Sequence, residues 1–215
     1  MNIQNIIFDF GGVIIDIDFQ KTIRAFVDLG ADQFGNTYSK ATQSGIFDQL
    51  DKGSISEQDF VEDLKQFLPD HISDDHIIDA WNEIIIGIPP ARIEMLEAAK
   101  KNYSTILLSN TNIIHYKLYT PQLAETYGYK SLEELFDAVF LSFKLGMRKP
   151  DRDIFDYVFS SRKIPKESTL FIDDSKHIVD AAKKYGIKAF WLKDGMDVCD
   201  LFEDGLLKAA VIEQL

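Results

Sequence analysis

The chain has 215 residues, 46% of them apolar and 12% aromatic, enough to bury a full core as one domain or a domain carrying an insert. Its formal charge of −12 argues against a nucleic-acid backbone or an anionic membrane surface as partner, since both would be repelled without a basic patch. The single cysteine, Cys199, rules out an intrachain disulfide and a thiolate zinc cluster.

Taken in chain order, Asn2, Gln4 and Asn5 lead directly to an apolar run at 6–8, with neither the basic nor the long apolar segment of a secretory leader. No apolar run approaches the ~20 residues of a membrane span; the lone cysteine fits a reducing compartment, so the cytoplasm is expected, with a monomer as the default. The run at 6–8 predicts a buried strand closed by Asp9-Phe10-Gly11-Gly12. From about Phe19 to Ile88 the pattern turns helical, with no convincing strand, and predicts an inserted helical domain. There Ser54 and Glu57 have capping-box spacing ahead of Phe60, Val61, Leu64 and Phe67. Ile77, Ile78, Trp81, Ile84 and Ile85 recur at helical spacing after Asp74 and Asp75. These stripes are read as the core of a small bundle, and Phe60, Phe67 and Trp81 as packing rather than cofactor contacts.

Gly87, Pro89 and Pro90 mark the return. Helices are then expected at 90–101, 151–162 and 175–185, and further strands at 105–108, 139–141, 169–172 and 189–192. Strand and helix alternate, which predicts a doubly wound, Rossmann-like α/β core over 1–18 and 89–215 with the helical insert at 19–88.

Ligands of an open parallel sheet bind at the carboxyl ends of its strands. Those ends carry Asp9, then Ser109-Asn110-Thr111-Asn112, then Gly146-Met147-Arg148-Lys149-Pro150, then Asp173-Asp174-Ser175. A nucleophilic carboxylate, a hydroxyl, an ammonium and an acidic pair for a hard cation are the parts of an aspartyl-phosphate mechanism. Each has a plainer reading alone: Asp9 as a turn residue, Lys149-Pro150 as a loop, Asp173 and Asp174 as caps of the helix starting at Ser175. Adjacent acids closing an apolar strand repel one another, and a cation relieves that cost.

Together, Phe8-Asp9-Phe10-Gly11-Gly12-Val13, Leu108-Ser109-Asn110-Thr111-Asn112, Gly146-Met147-Arg148-Lys149-Pro150 and Phe171-Ile172-Asp173-Asp174 resemble the four motifs of the haloacid dehalogenase superfamily. The details are most similar to its branch of sugar-phosphate phosphatases, those acting on a sugar 1-phosphate among them. The resemblance implies that the insert is a cap over the site and that Asp9 is the nucleophile. It implies that Ser109 and Asn110 hold the transferring phosphoryl group and that Lys149 offsets its charge. Mg2+ would be held by Asp9, the Gly11 backbone carbonyl, Asp174 and Asp173, the last directly or through water. The partner would be a small phosphorylated metabolite.

One departure stands out, because the family pattern places an acid-base aspartate two residues after the nucleophile, where this chain has Gly11. General acid-base help is worth about 10²- to 10⁴-fold, and an anomeric phosphate, with its better leaving group, needs it least. Asp16 and Asp18 are candidate substitute acids, with solvated flap positions as the plainer reading. Gly11 and Gly12 allow a close backbone approach to phosphate, or simply a tight turn. His115 is expected either to face the substrate or to lie on a helix surface. His71, His76 and His177 show no metal-ligand arrangement, and Glu133, Glu134, Lys100, Lys101, Lys183 and Lys184 read as solvated faces. Rival readings are a metal-independent dehalogenase, a receiver module, opposed by motif order and the insert, and a catalytically weak phosphate-binding or regulatory protein motivated by Gly11.

Overall fold

The computed structural model describes residues 2–31, 34–37 and 45–215. Residue 1 of the expected core, and 32–33 and 38–44 of the expected insert, lie outside the described residues. β1 (Asn5–Phe8) leads through the Asp9 turn to the short β2 (Asp16–Ile17). Five helices follow: α1 (Phe19–Asp28), α2 (Phe34–Thr37), α3 (Ile46–Asp51), α4 (Glu57–Lys65) and α5 (Asp74–Asn82). β3 (Ile85–Gly87) then returns antiparallel to β2. Next come α6 (Pro90–Ala99), β4 (Ser104–Ser109), α7 (Ile113–Tyr127), α8 (Leu132–Leu135), β5 (Ala138–Leu141), α9 (Ser142–Leu145) and α10 (Arg152–Arg162). β6 (Thr169–Asp173), α11 (Lys176–Lys184), β7 (Lys188–Trp191), β8 (Phe202–Glu203), β9 (Leu206–Leu207) and α12 (Ala209–Ile212) follow.

The five expected strands form one parallel sheet in the order β5-β4-β1-β6-β7, with β1 at its centre. Successive strand side chains point to opposite faces. Ile6, Phe8, Leu107, Leu170 and Ile172 accordingly join a core with Ile93 and Leu96 of α6 and Leu123 of α7. Ile7, Ile106, Leu108 and Phe171 join a second core with Phe155 of α10 and Val179 of α11. Helices cover both faces, which is why these strands read as continuous apolar runs rather than alternating ones.

A third apolar cluster holds the helices between β2 and β3, with Phe26, Phe47, Leu50, Phe60, Leu64, Ile77 and Trp81 packed together and against Ile114 of α7. α1 has 10 residues, and α4 and α5 have 9 each, shorter than the roughly 12–15 at which isolated helices become marginal in water. Their stability comes from this shared core, where a fully buried ring such as Phe26 or Phe60 contributes about 1.5–3 kcal/mol. Among the described residues no helix is long and apolar enough to cross a membrane.

Three details differ from the sequence reading. Ile85 lies in β3 rather than on a helix, because α5 stops at Asn82 and the chain pairs with Asp16 and Ile17. The capping box is Ser56 with Asp59, since Ser54 Oγ donates to Gln49 O at 3.0 Å and closes the preceding turn instead. Phe67 is 53% exposed: α4 ends at Lys65, so the helical stripe does not extend to it.

Candidate active site

β1, β4 and β6 are adjacent and in register, Phe8 pairing with both Leu107 and Ile172, so their carboxyl ends come level. Asp9 continues the ladder by one residue, its N–H donating to Ile172 O at 2.9 Å. Asp9 Oδ1 accepts from the Phe10 N–H at 2.7 Å and lies 2.7 Å from Lys149 Nζ. The same ammonium is 2.7 Å from Asp173 Oδ2, and Asp173 Oδ1 accepts from the Ser175 N–H at 2.8 Å. Lys149 is almost fully buried. Its backbone is gripped at two points by Asn110, whose Oδ1 accepts from the Lys149 N–H at 2.9 Å while its Nδ2 donates to Lys149 O at 2.8 Å. Both polar atoms of the Asn110 side chain thus take part in placing Lys149. Ser109 ends β4, buried, its hydroxyl donating to Asn110 O at 3.4 Å.

One carboxylate oxygen each from Asp9, Asp173 and Asp174 lie within 4.8 Å of one another, and among the described residues no other group of metal-ligating side chains converges in this way. An all-oxygen set suits a hard divalent cation. The electrostatics agree with that fit. Burial, reinforced by the Asp173 and Asp174 charges, pushes the Asp9 pKa up to about 7 against the opposing pull of Lys149. Burial works to lower the Lys149 pKa, but Asp173 and Asp9 outweigh it and hold the ammonium above its usual value. Three carboxylates converging on one spot repel one another, a cost that a cation relieves.

Gly12 has a φ of +74°, and a Cβ built there would stand 2.5 Å from Asp174 Oδ2. No side chain fits without moving that carboxylate. Gly12→Ala is accordingly expected to weaken divalent-cation affinity about 10- to 100-fold, the range found when the support of a metal ligand is disturbed; calorimetric titration with Mg2+ checks it. At Gly11 the added Cβ would be 3.3 Å from Ile17 Cδ1, so the space beside this glycine is taken by an apolar side chain.

These ends open into a cavity of about 400 Å³, lined by Asp9, Gly11, Ser109, Asn110, Lys149 and Asp174 at the sheet and by Phe47, Asp48, Asp51 and Trp81 from the helical segment. Asp173 and Gly12 are not part of this lining. Asp16 and Asp18 are absent from it: Asp16 Oδ1 accepts from Arg92 Nη1 at 2.8 Å, and Asp18 caps α1 through the Gln20 N–H at 2.8 Å. Neither replaces the acid missing at Gly11.

His115 lines the cavity and is buried, not on a helix surface. Its ring stacks on Trp81 with centroids 5.1 Å apart, and burial holds its pKa down to about 4, so it is neutral. Nε2 lies 3.2 Å from Trp81 O, and a carbonyl only accepts, so Nε2 carries the proton. Nδ1 then accepts from Asn112 Nδ2 at 3.2 Å. Both ring nitrogens are used, which makes His115 a wall and a strut rather than a proton donor to substrate. Asp48, Asp51 and Arg148 complete this side, with Arg148 Nη1 2.9 Å from Asp48 Oδ1 and Arg148 Nη2 3.7 Å from Asp51 Oδ2. Sequence reasoning assigned them no role, because no local spacing links 48 and 51 to 148.

Comparison with known proteins agrees with this geometry. A family model described as haloacid dehalogenase-like hydrolase matches residues 3–186. The chain is similar to a D-ribitol-5-phosphate phosphatase of Bacteroides thetaiotaomicron, at 32% identity over 91% of this chain and 94% of that one. It is also similar to a sesquiterpene phosphatase of Aspergillus oryzae, at 27% identity over 90% and 91%. Among solved structures, the HAD family enzyme BT-2542 of Bacteroides thetaiotaomicron, in complex with magnesium and inorganic phosphate, superimposes with a TM-score of 0.83 at 31% identity, over 94% of this chain and 100% of that one. The chain belongs to the haloacid dehalogenase-like hydrolases.

Proposed function

We propose that this protein is a Mg2+-dependent phosphatase that hydrolyses a small sugar or polyol phosphate through an aspartyl-phosphate on Asp9, with 19–88 acting as a cap over a core of 1–18 and 89–215. What carries the reading is the placement of the Lys149 ammonium between Asp9 and Asp173, beside Asp174, at the foot of a cavity. The magnesium and phosphate complex of the similar enzyme, and the phosphatase names of the two relatives, support it. Asp9, Asp174, Asp173 and the Gly11 carbonyl would hold the cation, which supplies the positive charge that lets a phosphate approach carboxylates.

Asp9 Oδ1 is held by the Phe10 N–H and Lys149, which supports Oδ2 as the attacking atom. The Oδ2–phosphorus bond forms as the ester oxygen leaves, and that oxygen takes its proton from water because Gly11 offers none. A second water then opens the aspartyl-phosphate and regenerates Asp9. The Ser109 hydroxyl and the backbone around Gly12 and Asn110 position the phosphoryl oxygens, while Lys149 stabilises the charge that develops on them. Without an acid at position 11, an anomeric phosphate is the ester this site opens most readily, which favours a sugar 1-phosphate.

Steady-state phosphate release from a panel of sugar 1-phosphates, polyol 5-phosphates and an isoprenoid phosphate tests the reading. Turnover is expected with Mg2+ and is expected to vanish when a chelator removes it. Chelator-resistant hydrolysis, or tight phosphate binding without any release, refutes it.

A further inference from the structure

Asp51 is a buried carboxylate with no part in the chemistry above. It ends α3, is 8% exposed and lines the same cavity as Asp9 and Ser109. Its Oδ1 accepts one hydrogen bond, from Asn112 Nδ2 at 3.2 Å. Arg148 Nη2 stands 3.7 Å from Oδ2, close enough for charge attraction but beyond hydrogen-bond reach. A carboxylate has about four acceptor sites, so most of the acceptor capacity of Asp51 is unused by the described residues. Burial raises its pKa against the guanidinium beside it, as expected of an under-solvated acid. Asn112 cannot turn away, since its Oδ1 caps α7 through the His115 N–H at 3.1 Å and its Nδ2 also serves His115 Nδ1. The acceptor is held in place and faces the cavity.

We infer that Asp51 determines specificity by accepting hydrogen bonds from hydroxyl groups of the substrate's leaving group, with Arg148 donating to the same hydroxyls. This rests on the phosphatase reading above and names the group that would select its substrate. A hydroxyl both donates and accepts, so it bridges carboxylate and guanidinium. An alkyl chain offers neither of them a hydrogen bond, and an ammonium group satisfies Asp51 only by meeting the Arg148 charge.

The test compares D-ribitol 5-phosphate and glucose 1-phosphate with n-propyl phosphate and phosphoethanolamine, in wild type and Asp51→Asn, with Asp51→Ser as a second variant should the first not fold. The ratio of kcat/KM for the hydroxylated esters to that for propyl phosphate is expected to fall about 10- to 100-fold, mainly through KM. An unchanged ratio, equal loss on every ester, or a loss confined to phosphoethanolamine overturns the inference. Asp48→Ala removes the 2.9 Å contact to Arg148 and keeps the Asp51 carboxylate. It is expected to keep the ratio, and an equal fall there would assign the effect to cap attachment instead. If wild type hydrolyses none of the esters, the phosphatase reading fails separately. Calorimetry then decides on Asp51: weaker binding of ribitol 5-phosphate but not of inorganic phosphate in Asp51→Asn supports the inference, and equal binding overturns it.

Discussion

Asp9→Asn is expected to lower phosphate release by about 10⁴-fold or more, the scale on which loss of a covalent nucleophile is felt, while leaving the fold intact. An amide has the same shape but cannot form the acyl phosphate. The thermal behaviour distinguishes this from general damage. With its pKa raised from 3.8 to about 7, Asp9 binds a proton in the folded state across a pH window in which the unfolded chain has released it, so stability falls as pH rises through that window. Removing the charge removes the penalty. In metal-free buffer Asp9→Asn is expected to melt above wild type at pH 7–8, and the gain is expected to fade as the pH approaches 4. A variant that melts well below wild type at pH 7.5, or one that retains turnover, would contradict the role given to Asp9.

Lys149→Met is expected to be the costliest single change for stability at this site. The ammonium is 2.7 Å from both Asp9 and Asp173 and 1% exposed, so no water replaces it and the two carboxylates are left facing each other. Breaking a buried pair in this way costs about 3–5 kcal/mol, which in a chain of this size lowers Tm by about 6–20 °C. The sign with pH follows from the acids. Without Lys149 the Asp9 pKa rises further, so the deficit is largest at pH 7–8 and narrows towards pH 5 as the carboxylates take up protons. Turnover is expected to fall about 10²- to 10³-fold through loss of charge stabilisation. Melting curves at pH 5 and 7.5 and steady-state rates check both; a pH-independent loss of stability would mean that packing, and not charge, had been removed.

The strands were legible because each is a buried run in a sheet covered on both faces, and the acids and lysine at their ends were legible because they lie within a few residues of those runs. Other features depend on contacts distant in sequence. Arg148 meets Asp48 and Asp51 across about a hundred positions, and no residue spacing records that. β3 was hidden because Ile84 and Ile85 continue the apolar stripe of α5, and only pairing with β2 makes a strand that begins at Ile85. Ser54 and Ser56 each have an acid three residues on, and the choice between them rests on a hydrogen bond to Gln49. Asn110 sits where the family motif implies a phosphate contact, and its grip on Lys149 is visible only in three dimensions.

That grip bears on how motion is shared between the two halves of the molecule. Arg148 reaches into α3 and Lys149 into the carboxylates, so one peptide unit joins a helix of the insert to the reactive centre. Because Asn110 fastens the Lys149 backbone to the end of β4, displacement of α3 can be taken up in the long, flexible Arg148 side chain before it reaches the ammonium. The clip would work as a strain relief: α3 could move against the sheet while the Lys149 ammonium stayed between Asp9 and Asp173.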